Sequence, residues 1–382
     1  MPKKQILALF VCSLVPWTVG NGLLPLLPVY ATQLGADPRT AGNYLAFSYV
    51  AIAFGAISAG WISDGFQRRK IPLIIVSMAG IPVCWLMGRA GSILALSVLT
   101  ALFWFSGGVG LGLIGILTGL SASQDERGKV FGILSLTGGL GGLVGGLASG
   151  IIVDRWGFQT LFTILTFFIT CWPISGIFLS EKKTERIDKQ DEPAKRKSAL
   201  GRDFYLLLTA SLMVTISGFV IVLGRSLLMN DLDFSATEIS LTGAVSGIIA
   251  MPLPLLMGWL SDRTGRKVYL FLGYGLSIAS LFILAMSASF WCFLIASALQ
   301  AIFMGVNGTI GNALATDMLP QESLGRGLAL LSAAASIGGV FGFAGAGYTL
   351  QSFGVLPTFV ISMSLPVIAI ILLSFMKVRA KG

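Results

Sequence analysis

Histidine is absent from all 382 residues. That removes the commonest metal ligand and the side chain that most readily changes charge near neutral pH. Charge of either sign is scarce, with Asp, Glu, Lys and Arg making up 11% of the chain and acids numbering only 17. A soluble domain carries about 25% charged residues, so water is not the main solvent here. The four cysteines, Cys12, Cys84, Cys171 and Cys292, each stand alone inside an apolar run. None has metal or disulfide spacing, which leaves them as apolar filler. The clusters of His, Asp and Glu that an embedded enzyme needs are lacking as well. No catalytic residue, metal or cofactor is assigned, and enzymatic activity is not expected.

What the chain has is apolar length. It is 55% hydrophobic, with a mean hydropathy of +0.85. Runs at 5–33, 40–63, 71–89, 92–122, 129–153, 158–180, 203–229, 238–260, 268–288, 290–317, 325–350 and 355–376 each suit a hydrocarbon core of roughly 30 Å. They predict an all-α integral membrane protein of twelve spans. Proline-containing pieces such as "LLPLLPVY" fit because neighbouring helices satisfy the freed backbone groups. The opening "MPKKQILALFVCSLVPW" has the lysines of a signal peptide, yet its apolar stretch outruns a signal core and no small-x-small site closes it. It is read as the first span.

The net charge of +9 invites a nucleic-acid reading, but its distribution excludes one. With both termini and the loops after even-numbered spans on one side, 22 of the 26 Lys and Arg lie there, leaving Arg39, Arg89, Arg155 and Arg225 for the other. This is the positive-inside bias, so both termini are expected in the cytoplasm. Residues 181–202 form the only strongly polar run. They read as a solvated linker between halves at 1–180 and 203–382, or as a lipid-contacting segment through Lys195, Arg196 and Lys197.

The second half repeats the first. At a shift of 198, Gly60, Trp61, Ser63, Asp64 and Arg68 of "GWISDGFQRRK" fall on Gly258, Trp259, Ser261, Asp262 and Arg266 of "GWLSDRTGRK". At a shift of 197, Gly141, Gly145 and Gly157 fall on Gly338, Gly342 and Gly354. A repeat sustained this far implies two pseudo-symmetric six-helix halves, the construction of many secondary transporters.

These loops resemble the signature G-x-L-A-D-R-x-G-R-R/K of the major facilitator superfamily, most like its twelve-helix drug-efflux members. The second copy matches well; the first has Gly65 and Gln67 where the family has Arg and Gly. The resemblance implies a cytoplasmic gate of Asp64, Arg68, Arg69, Asp262, Arg263, Arg266 and Lys267. Asp64 would face the span starting near Gly325 and Arg326, and Asp262 the span starting near Gly128 and Lys129, each carboxylate near a helix N-terminus. Plain positive-inside anchoring is the rival reading.

Gly138, Gly142, Gly146 and Gly150, at four-residue spacing in the fifth span, form a flat ridge for close helix approach. The ridge resembles the glycine motif of drug exporters, without the usual proline. Gly338, Gly342 and Ala346 repeat it weakly. Polar and aromatic residues deep in the spans predict a neutral, largely apolar substrate cavity of Trp17, Asn21, Phe103, Trp104, Gln300, Met304 and Asn307, with Arg225 as the one charged candidate. Amides of this kind also serve simply to glue helices, and Arg225 could mark the outer boundary or face a substrate. No acid sits clearly at mid-membrane. The expectation is an alternating-access exporter of small hydrophobic or amphipathic compounds, multi-pass in a bacterial cytoplasmic membrane and monomeric. An uptake carrier for a metabolite or a lipid translocase is the alternative. Either facilitated diffusion or coupling through a peripheral acid follows, with Asp317 first and Asp154 and Asp231 towards the outer face.

Overall fold

The computed structural model describes residues 1–66, 68–123, 126–181, 200–286 and 289–377. Among them the regular structure is helix, with no strand. Most of the polar linker, with Lys195, Arg196 and Lys197, lies outside the described residues. The helices are α1 (Lys3–Leu23), α2 (Leu27–Gln33), α3 (Pro38–Phe66), α4 (Lys70–Met87), α5 (Ile93–Ser121), α6 (Arg127–Ile169) and α7 (Cys171–Ile177). They continue as α8 (Arg202–Asp231), α9 (Ala236–Ala250), α10 (Leu253–Thr264), α11 (Arg266–Met286), α12 (Phe290–Met318), α13 (Gln321–Phe353) and α14 (Val355–Ser374).

Among the described residues ten helices are long and apolar enough to cross a membrane, or eleven if α9 and α10, bent by 45°, are one span. The stretch Arg127–Ile177 counts once there, though it has 51 residues. At 1.5 Å per residue that is about 75 Å, more than twice the roughly 30 Å of hydrocarbon. It breaks at Gly157, with φ 77 and ψ 171. Divided at that point, the count is consistent with twelve spans. Gly354, at φ 82 and ψ −176, parts α13 from α14 in the same way. Few residues but glycine hold that backbone without strain, so the two glycines aligned by the repeat are the two helix breaks.

Other breaks follow from proline and capping. The first span is α1 followed by the short α2, whose first turn holds Pro28; proline needs no N–H there. Pro252 and Pro254 begin α10 after the bend. At the start of α3, Asp37 accepts the Thr40 N–H at 2.7 Å, and that bond holds its carboxyl below the usual range.

By internal contact the chain divides into two compact units, Met1–Glu185 with Met229–Met251, and Arg186–Leu228 with Pro252–Gly382. The stretch Met229–Met251, which the sequence repeat counts with the second half, packs with the first. In the first unit α3 and α5 cross where both lack a side chain. A Cβ on Gly55 would meet the Phe105 carbonyl, and one on Gly108 the Ile52 carbonyl. In the second unit Gly338 and Gly342 of α13 lie against Thr215 and Phe219 of α8. Phe162, Trp172, Phe293, Phe303, Phe343 and Phe359 are among the fully buried side chains.

Candidate functional site

The motif loop of the first unit follows α3. Asp64 and Arg68 are exposed, and Gln67 lies outside the described residues. Arg69 is buried; its Nε donates to Ser63 Oγ at 2.8 Å, and its Nη1 lies 3.7 Å from Glu181 Oε1. The Glu181 carboxylate also accepts the backbone N–H groups of Arg69, at 2.7 Å, and Lys70, at 3.2 Å. It therefore sits where the orphan donors and positive dipole end of α4 favour an anion. Lys70 Nζ donates to the Ile177 carbonyl at 2.6 Å.

In the second unit α10 ends at Gly265, whose φ of 97 suits the glycine that the motif places there. Arg266 links two acids, with Nη2 3.2 Å from Asp262 Oδ1 and Nη1 3.0 Å from Asp317 Oδ2. The Arg263 guanidinium lies 4.0 Å over the Trp259 ring. Lys267 Nζ donates to the carbonyls of Met376, at 2.7 Å, and Ser374, at 3.5 Å. Arg202, Asp203, Asp262, Arg266, Asp317 and Lys377 line part of a cavity of about 1050 Å³ within this unit.

The two loops thus share a device that the sequence reading did not find. Lys70 with Ile177 and Lys267 with Ser374 are the same pair shifted by 197. Each lysine ties its loop to the carbonyl end of the last helix of its repeat, where a cation is favoured. The acid serving the arginine differs: Glu181 after α7 in one unit, Asp317 at the end of α12 in the other. The aligned lysines were a visible signal; their carbonyl partners carry none in their side chains.

The polar residues of the spans are drawn into separate clusters. In the first unit Asn21 Nδ2 donates to the Gly138 carbonyl at 3.0 Å, joining α1 to α6. Trp17 is 40% exposed, with its ring 4.0 Å from where a Gly138 Cβ would stand. Phe103 is buried near Gly80. Trp104 packs on Tyr49 at 5.1 Å between ring centroids; its buried indole N–H has no partner among the described residues. In the second unit Tyr274 donates to Asn307 Oδ1 at 2.9 Å, and Asn307 Nδ2 donates to Thr215 Oγ1 at 3.2 Å.

Arg225 is not at an exposed boundary. It is 3% exposed, and Nη1 donates to Ser297 Oγ at 2.6 Å and to Gln300 Oε1 at 3.0 Å. Gln300 in turn donates to the Gly218 carbonyl at 2.9 Å, and Met304 packs its sulfur against Gly218.

The glycine ridge of α6 meets α9. A Cβ on Gly142 would approach Gly247 Cα at 3.1 Å, one on Gly146 the backbone of Ala244, and one on Gly150 the Ala236 carbonyl. Gly138 has no such neighbour, having only the Trp17 ring at 4.0 Å. A second face, through Gly141 and Gly145, meets Thr18 and Gly22 of α1. Asp154 extends the four-residue series from Gly150, so it falls on the same face. Its carboxylate accepts the N–H groups of Ala236, at 2.9 Å, and Thr237, at 2.8 Å, and the Thr237 hydroxyl. The seam is thus fastened at one end by a cap on the N-terminus of α9. Among the described residues no three His, Cys, Asp or Glu side chains gather as metal ligands would.

The family model described as Major Facilitator Superfamily matches residues 9–224 and again 205–382. The chain is 26% identical over 270 residues to the Multidrug resistance protein MdtG of Salmonella paratyphi A, covering 67% of this chain and 66% of that protein. The protein of that name from Salmonella newport is 27% identical over 273 residues, with the same coverage. The match therefore spans about two thirds of these relatives' length. Among solved structures, the nucleoside transporter NupG gives a TM-score of 0.80 at 14% identity, covering 98% of this chain and 100% of that one. A POT family transporter in complex with 5-aminolevulinic acid gives 0.81 at 11% identity, covering 97% and 96%. Such identities speak for the fold alone. Helices broken at equivalent glycines, motif loops repeated with the same lysine clamp and a family match across both halves converge: the chain belongs to the Major Facilitator Superfamily.

Proposed function

We propose that the protein is an alternating-access secondary transporter that exports small hydrophobic or amphipathic compounds. The observation that carries this reading is the similarity to proteins named for multidrug resistance. The chemistry of the spans supports it: the neutral side chains among the cavity candidates are Trp17, Asn21, Phe103, Trp104, Gln300, Met304 and Asn307, and substrate selection rests on apolar area and a few amides. The basic loops face the cytoplasm by the positive-inside bias. Asp64, Arg68, Arg69, Asp262, Arg263, Arg266 and Lys267 form the cytoplasmic gate, and the α6 ridge gives the close helix contact about which access changes. The working protein is a monomer whose partners are its substrate and the bilayer of a bacterial inner membrane.

Accumulation of a fluorescent amphiphile in proteoliposomes, with and without an imposed pH gradient, tests the reading. Export predicts movement from the face bearing the basic loops to the opposite face, faster than in protein-free vesicles. Movement only in the other direction, or only of small polar metabolites, would replace the exporter with an uptake carrier.

A further inference from the structure

The geometry points to Arg225 as an anion-binding site that takes the negative end of an amphipathic compound, a carboxylate or phosphoryl oxyanion. This deepens the exporter reading and rests on it for the role of the bound compound. Arg225 stands six residues before the end of α8 at Asp231, about 9 Å along the axis, and falls within the apolar run 203–229. It is 3% exposed. Its hydrogen-bond acceptors are two neutral oxygens, of Ser297 and Gln300. Its Nε–H is buried without a partner, and among the described residues no carboxylate forms an ion pair with it.

A fixed positive charge in a membrane span is costly and marks a site of function by default. Neutral acceptors satisfy hydrogen bonds but do not cancel the charge. The acceptors are themselves anchored, Ser297 by donating to the Phe293 carbonyl at 2.6 Å and Gln300 through Gly218. The guanidinium is thus held by one nitrogen while Nε–H remains to be met. An oxyanion supplies both the missing acceptor and the missing charge, in the geometry that arginine matches well. One turn along α12 from Gln300, Met304 against Gly218 offers a soft apolar surface of the kind that accommodates varied hydrocarbon. A cationic amphiphile finds repulsion here, so the site selects by sign of charge.

The purified full-length protein in phosphatidylcholine nanodiscs is titrated with dansyl-labelled undecanoic acid, its methyl ester and a matched dansyl-alkyl trimethylammonium. Wild type is expected to bind the acid about tenfold or more tighter than the ester, as a charge-assisted bond exceeds a neutral one. The trimethylammonium should bind weakest. Arg225→Gln should lose the acid preference, so that acid and ester bind alike, whereas a purely structural clamp would lower thermal stability and leave the preference intact. Equal binding of acid and ester by wild type, or an unchanged preference in Arg225→Gln, overturns the proposal. Should Arg225→Gln fail to fold, Arg225→Lys decides: a reduced but persistent acid preference supports the site, and ester binding without preference overturns it. Phosphatidylglycerol added to the discs separates the sources of anion. Displacement of the acid in wild type alone shows a lipid headgroup entering the same site. Export of the ester in proteoliposomes is scored separately, so the exporter reading and the anion site fail independently.

Discussion

The single methyl group decides what the α6 glycines can tolerate. A Cβ on Gly146 would collide with the backbone of Ala244 in α9, whereas one on Gly138 would only touch the Trp17 ring at 4.0 Å. Backbone cannot step aside as a flexible side chain does. Gly146→Ala should therefore cost about 1–3 kcal/mol by overpacking. Gly138→Ala should be neutral or stabilising, because alanine is up to about 1 kcal/mol better than glycine in a helix. Thermal melts of the two variants check this; equal melting points would show that the ridge does not bear on α9. Asp154→Ala leaves the Ser235–Glu238 capping box of α9 in place but removes the acceptor of the Ala236 and Thr237 N–H groups, and should cost about 0.5–1.5 kcal/mol. Asp154→Asn keeps one acceptor and should recover part of it in the same melt. The four-residue ridge was legible because its spacing is close to the helix's roughly 3.6-residue turn. Asp154 continues it, yet its role was not legible: a helix N-terminus 82 residues further on leaves no mark on the spacing.

Among the elements, the motif loops act as joints between helix ends. Lys70 and Lys267 hold carbonyls at the far end of their own repeats. Arg266 holds Asp262 and Asp317 together. Asp317 and Arg266 are 28% and 21% exposed, so water screens the pair and its net worth is roughly 0–1 kcal/mol. Asp317→Asn should accordingly melt within about 1 kcal/mol of wild type. If this acid couples transport to protons, the same variant should lose accumulation driven by a pH gradient while retaining downhill flux. Full accumulation in Asp317→Asn would remove it as the coupling group and direct attention to the remaining acids. The loops were recognisable from sequence as a repeated pattern of charge, glycine and tryptophan. Their partners were not, since Glu181 and Asp317 occupy unrelated positions in the two repeats.

For the whole molecule the prediction concerns the balance of access states. Asp64→Asn and Asp262→Asn should insert normally and shift that balance, because a differential of only about 1–2 kcal/mol changes populations severalfold. Cysteine-accessibility labelling from each face, together with transport rates, reads the shift. Wild-type labelling and rates in both variants would reduce the motif acids to topological anchors. Both acids are exposed, but among the described residues Asp262 is the one held in an ion pair, with Arg266, so the effect should be larger for Asp262.

The sequence by itself determined the solvent, the class and the duplication. Scarce charge, recurrent apolar length and a one-sided distribution of Lys and Arg each act through bulk transfer free energies that need no partner. The repeat aligned Gly157 with Gly354, but only the structure showed that both are helix breaks in a backbone that glycine tolerates. Tertiary structure alone decided which polar groups meet. It placed Asn21 on the Gly138 carbonyl, Asp154 on α9, and Arg225 among neutral oxygens with its Nε–H unmet. It also packed Met229–Met251 with the first unit, against the linear order of the repeat. Such pairings depend on short-range geometry between residues far apart in the chain, and periodicity along one helix carries no information about the helix it will touch.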